Sequence, residues 1–238
     1  GYVLSGGHGV QDFARTAVSL VQIVILLVPV TALLIGVVAL APDRGAAEML
    51  YSQPVPRRTI LLGRLAGLFA ALAAAQAVGL GAAGLVVSWH SGGEGLGSFG
   101  LLLACSFALT AVFLGLAAWL AVGATAGRRS RAIAQALVVW FAAAVLYDVA
   151  ALGLASLLRS GTASRLLVVA VIVNPVDAIR TAALLGVEGA AAFGAASLAF
   201  FRITGGGTAA AALLATSVAA WIVVPAALAV RRLERADI

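Results

Sequence analysis

The chain has 238 residues, 63% of them hydrophobic and 10% charged, with a mean hydropathy of +1.13; a soluble domain carries about 25% charged residues, so this is the composition of an integral membrane protein. Its formal charge of +6 sets fifteen arginines against nine acidic residues, and lysine is absent. Without a P-loop lysine these residues cannot form a Walker-type nucleotide hydrolase, and the arginines lack the interleaved aromatics of a nucleic-acid-binding stripe.

Residues 1–14 are polar and glycine-rich, begin at Gly1 instead of methionine and lack the charged-then-apolar order of a signal peptide, so further sequence upstream is expected. Five segments then supply the roughly 20 apolar residues that a helix needs to cross a bilayer: 16–41, 65–89, 99–126, 132–158 and 208–230. None alternates apolar and polar residues as a transmembrane strand must. An all-α integral membrane protein is predicted, one domain over residues 1–238. Cys105, the single cysteine, falls in the third apolar run and can form no disulfide within the chain.

Between the first two spans lies PDRGAAEMLYSQPVPRRTILLGRL, residues 42–65. Gln53 and Val55 each precede a proline, which pushes them toward extended geometry and ends any short helix begun over 45–52. Pro56 suits the first turn of the next helix, where its missing N–H costs nothing, and Arg57, Arg58 and Arg64 anchor that helix at the headgroups. Two readings of 43–58 stay open on these grounds. It is a loop that only orients the protein, or a contact surface with Glu48, Arg57 and Arg58 at its rim and Met49, Leu50 and Tyr51 as apolar anchors. Further along the same helix, Gly63 and Gly67 form a GxxxG and Gly79, Gly81 and Gly84 follow, a spacing that permits close helix packing.

His8 and the His90 of SWHSGGEG (88–95) stand apart among glycine and serine, so no metal ligand is expected. GRRSR (127–131) is a tight basic turn. Asp148 lies inside the fourth span, where a carboxylate is costly unless it faces protein or water; its candidate partners are Tyr147, Gln135 and Gln76. In NPVDAIR (174–180), Asn174 can cap a helix begun by Pro175, Asp177 falls in the first turn, and Arg180 lies three residues on along the same face.

Arginine counting orients the chain. With 42–64 on the cytoplasmic side, that side receives ten arginines and the other five, and the loop 88–98 has none. A single extra crossing between 159 and 207 would place Arg231, Arg232 and Arg235 outside, so 166–201 is predicted to be a re-entrant or interfacial pair of short helices on the outer side. Five crossings with an outer N-terminus read as a six-span protein lacking its first helix.

The order Glu48, Leu50, Ser52, Pro54, Val55, Arg57, Arg58, Gly63, Arg64 resembles the pattern of ABC-2-type permeases, with Arg64 where that family often has lysine and Pro56 where a serine is common. The stretch VVWFAAAVLYDVAALGLASLL (138–158), NPVDAIR and GVEG (186–189) resemble, more narrowly, the permeases of the copper-processing Nos system, which supports maturation of the copper sites of periplasmic nitrous oxide reductase. The resemblance implies a type V exporter-like transmembrane domain in the bacterial inner membrane. It implies that 43–58 is a coupling helix, with Glu48, Met49, Leu50, Tyr51, Gln53, Pro54, Arg57 and Arg58 docking on a cytoplasmic ABC ATPase dimer that holds ATP and magnesium. No cofactor is then expected on this chain. The implied partners are a second copy of itself, a periplasmic β-helix protein and membrane lipid. Asn174, Pro175, Asp177, Arg180 and Glu188 become candidates for an outer gate or periplasmic contact, and Asp148 for the dimer pathway. Export of a hydrophobic small molecule or lipid is the alternative within the family. A membrane anchor for a periplasmic complex leaves the kinked cytoplasmic segment 43–58 unexplained, and an enzyme would need convergent acids or histidines where only Asp148 is found inside the membrane.

Overall fold

A computed structural model describes residues 3–41, 55–91, 96–123, 129–188 and 195–235, and among these every regular element is helical. In chain order they are α1 (Val3–Leu40), α2 (Arg57–Ser91), α3 (Leu96–Gly123), α4 (Arg129–Phe141), a π turn (Ala142–Leu146), α5 (Tyr147–Ser156), α6 (Ser160–Val173), α7 (Pro175–Glu188), α8 (Ala195–Thr204) and α9 (Gly207–Glu234). Among the described residues, five stretches are long and apolar enough to cross a membrane: Val21–Leu40, Arg57–Val86, Phe99–Gly123, Ser130–Ser156 and Gly207–Glu234. They overlap the five predicted segments, and the second begins at Arg57, eight residues ahead of the predicted 65. The first helix begins earlier than predicted, at Val3, so the stretch ahead of residue 16 is helical from there on.

The central helix is α3. Leu109, Val112, Phe113 and Ala117 on it are wholly buried, against Ala32, Leu33 and Val37 of α1. Small residues set these seams. A Cβ on Gly36 would stand 2.6 Å from that of Ala117, and one on Gly115 would stand 3.4 Å from the Ile222 carbonyl oxygen beside Pro225 of α9. Of the glycines predicted to pack helices closely, Gly63, Gly67, Gly79 and Gly81 have nothing within 4 Å of where a Cβ would stand, and only Gly84 meets a neighbour, Phe99. The close approaches fall instead at Gly36, Gly115, Gly123 and Gly186, the last beside a Leu101 methyl. The outward faces of α2 and of α4–α5 carry Val78, Leu85, Val138, Val149 and Leu152, all more than half exposed, an apolar exterior suited to lipid.

Polar side chains tie the helices of this bundle together. Gln76 of α2 donates to the Thr110 hydroxyl at 2.7 Å and accepts from the Ser106 hydroxyl at 2.8 Å, which ties α2 to α3. At one end of the bundle Leu40, Leu61, Ala118, Ala121, Ala229 and Leu233 form a small core that gathers the ends of α1, α2, α3 and α9. Arg64 there donates to the Ala39 carbonyl in the last turn of α1, and the Arg232 guanidinium lies over Gly123 in the last turn of α3. Both cations sit where the carbonyl end of a helix favours them.

The opposite end is built by the stretch between the last two spans. α6 and α7 meet at 101°, and α7 enters the main core through Val176, Ile179 and Ala183. A second cluster, Val168, Ala178, Phe200, Ala210 and Leu214, joins α6, α7, α8 and the start of α9. Three helices therefore occupy the region predicted to hold a pair over 166–201, because α6 begins at Ser160 and an eighth helix follows α7.

Candidate functional site: a charged cluster beside a π turn

Asn174 forms the corner between α6 and α7. Its extended backbone lets its side-chain oxygen accept from the Val176 N–H at 3.1 Å, the cap that the Asn-Pro order predicts. Its amide nitrogen donates both to Asp177 Oδ2 at 2.9 Å and to the Ala143 carbonyl at 2.8 Å. That carbonyl lies in the π turn, where the wider winding disturbs the regular ladder of an α-helix. Carbonyls at the end of α6 are taken up from α9: Trp221 Nε1 donates to Val173 O at 2.9 Å, and the Ser217 hydroxyl donates to Ile172 O. The bend thus has its backbone groups satisfied by side chains of more than one helix.

One turn into α7, Arg180 bridges two carboxylates through a single nitrogen. Its Nη1 lies 3.0 Å from Asp177 Oδ1 and 2.7 Å from Asp148 Oδ2. The second bond crosses from α7 to α5, over 32 residues of sequence. Side chains of Arg180, Asp148 and Asp177 are 23%, 30% and 11% exposed, so the cluster is largely removed from solvent. Beside it, the Tyr147 hydroxyl donates to the Ala170 carbonyl at 3.0 Å. Two carboxylates thus share one guanidinium.

The predicted Asp177–Arg180 pair is present, and Asn174, Pro175, Asp177 and Arg180 stand together at the bend. Asp148 finds Arg180, not the partners expected for it: Gln76 is engaged by Ser106 and Thr110, and Tyr147 by Ala170. Glu188 ends α7, and its side chain lies outside the described residues. Of the coupling segment, Glu48, Met49, Leu50, Tyr51, Gln53 and Pro54 lie outside the described residues; Arg57 and Arg58 form the first turn of α2, at the arginine-rich end. The π turn and the Trp140 bond to the Leu26 carbonyl, 3.1 Å, were not legible from AAAVL or from a tryptophan in an apolar run. Among the described residues no three histidine, cysteine or acidic side chains group as a metal site.

Residues 7–238 match the family model described as ABC-2 family transporter protein. The chain belongs to the ABC-2 transporter family. Two relatives carry the name "Probable ABC transporter permease protein NosY". That of Pseudomonas aeruginosa is 33% identical over 205 residues, which is 84% of this chain and 74% of the relative. That of Stutzerimonas stutzeri is 32% identical over 205 residues, 83% of this chain and 74% of the relative. As an ABC-2 permease the chain is a multi-pass membrane subunit, and the ATP hydrolysis that drives such permeases belongs to a partner ATPase.

Proposed function

We propose that the chain is the permease of a homodimeric ABC transporter serving the assembly of the copper sites of periplasmic nitrous oxide reductase. The observation that carries the reading is the similarity over most of the chain to two permeases named NosY. The arginine-rich end, with Arg57, Arg58, Arg64, Arg231 and Arg232, faces the cytoplasm by the positive-inside rule. There the segment 43–58, with Glu48, Met49, Leu50, Tyr51, Gln53 and Pro54, is the coupling helix for an ATPase dimer that binds ATP and magnesium. The bent pair α6–α7 is re-entrant on the outer side, since α7 buries Val176 and Ile179 against α1 and α3 where a lipid-facing span would expose them.

In this arrangement Asn174, Asp177, Arg180 and Asp148 form the outer gate or the contact for a periplasmic β-helix protein. Closure of the ATPases at one end reaches them through the rigid α1–α3–α9 core. The test is the copper content of nitrous oxide reductase purified from host cells that lack this chain, with a β-helix protein sought among what co-purifies with the chain. Copper-poor reductase, restored by the gene in trans, is expected. Fully loaded reductase would overturn the copper reading and return the chain to export of a hydrophobic small molecule or lipid.

A further inference from the structure

The π turn separates two halves of one span that are anchored to different bodies. Upstream, α4 is fixed to the core: Trp140 Nε1 donates to Leu26 O of α1, and Ala132 and Ala136 are buried in the main cluster. Downstream, α5 is held by the outer helices, through Tyr147 to Ala170 and Asp148 to Arg180, while Asn174 holds the turn itself at Ala143. The two bonds from α5 depend on the rotational offset that the π turn introduces. A π turn accommodates one extra residue, so every side chain beyond it stands about 100° from where an unbroken α-helix would put it.

Two features mark this state as one of a pair. The Nε of Arg180 is buried with no hydrogen-bond partner, so the guanidinium is incompletely satisfied as it stands. The turn itself, Ala142–Leu146, has three alanines, and only Ala144 is buried, so little side-chain packing opposes rewinding.

We infer that Ala142–Leu146 is a two-state joint, in which rewinding of the π turn to α-helix rotates α5 and withdraws Asp148 from Arg180. In the rewound state Tyr147 takes the direction now held by Asp148, and Asp148 takes the direction now held by Val149, which is 62% exposed. Arg180 keeps Asp177, its neighbour on α7, so each arrangement leaves the guanidinium an acidic partner. The joint converts strain between the core and the outer helices into a discrete rotation, and it rests on the coupling reading proposed above.

Spin labels at Val138 on α4 and Leu154 on α5, both exposed positions, straddle the turn. In the membrane-reconstituted complex with its ATPase, trapping with ATP and vanadate is expected to add a second distance about 3 Å longer, because on a helix about 10 Å across rewinding takes the two labels from about 60° to about 160° apart around an axis on which they are separated by roughly 24 Å. Deletion of Ala142 closes the ladder as α-helix with α5 in its present orientation, and is expected to leave a single distance in both states. A complex that hydrolyses ATP yet keeps one unchanged distance would overturn the joint alone. Two distances in the deletion variant would also overturn it, and a labelled chain that captures no ATPase would overturn the coupling reading and the joint with it.

Discussion

Arg180→Ala is expected to lower the thermal midpoint of the purified protein and to abolish transport-linked ATP hydrolysis in the assembled complex. The guanidinium is the only cation within bonding distance of Asp148 and Asp177 among the ion pairs of the described residues, and its loss leaves two carboxylates facing each other across α5 and α7. Removing one partner of a buried pair costs about 3–5 kcal/mol. Because Arg180 is 23% and Asp148 30% exposed, solvent relieves part of that charge, and the loss is expected near the lower limit of about 3 kcal/mol. The double variant Arg180→Gln with Asp148→Asn leaves one unpaired carboxylate, Asp177, in place of two that face each other, so it is expected to recover part of the lost stability without recovering coupled hydrolysis. Melting curves and ATPase rates on the three proteins separate the two effects. Unchanged hydrolysis in Arg180→Ala would show that the cluster plays no part in coupling.

The second large effect lies at the other end of the molecule. Arg57→Glu combined with Arg58→Glu is expected to leave insertion intact yet to reduce recovery of a co-expressed ATPase by at least roughly 100-fold, which corresponds to about 2.7 kcal/mol. Insertion survives because eight of the ten arginines assigned to that side remain, and acidic residues in the first turn of α2 suit the helix dipole. Binding fails because a contact selected for positive charge meets negative charge, and like charges across an interface cost several kcal/mol. Pull-down of the variant against wild type, normalised to membrane-inserted protein, gives the answer. Equal recovery would remove Arg57 and Arg58 from the docking surface.

The spans were legible because bilayer thickness imposes a length on any apolar helix, and charge marks their ends: Arg57 opens α2, and Arg231 and Arg232 close α9. The cap at Asn174 was legible because it is local, its acceptor and donor lying two residues apart. The partner of Asp148 was not, since Arg180 reaches it only when the sharp bend at Asn174 lays α7 beside α5. The packing glycines were misplaced for a related reason. GxxxG marks a possible seam, but in a chain with 27 glycines only the neighbouring helix decides which are used, and Gly36, Gly115 and Gly123 face one while Gly63 and Gly67 do not. The π turn left no mark at all, because AAAVL serves equally well in either winding.

Native mass spectrometry of the detergent-extracted protein, co-expressed with its partner ABC ATPase, tests most directly the claim that this chain is a coupled permease. The expected species contains two copies of this chain with two copies of the ATPase, and it dissociates when Arg57 and Arg58 are both changed to glutamate. A chain that emerges without the ATPase, alone or as a bare dimer, would contradict the account.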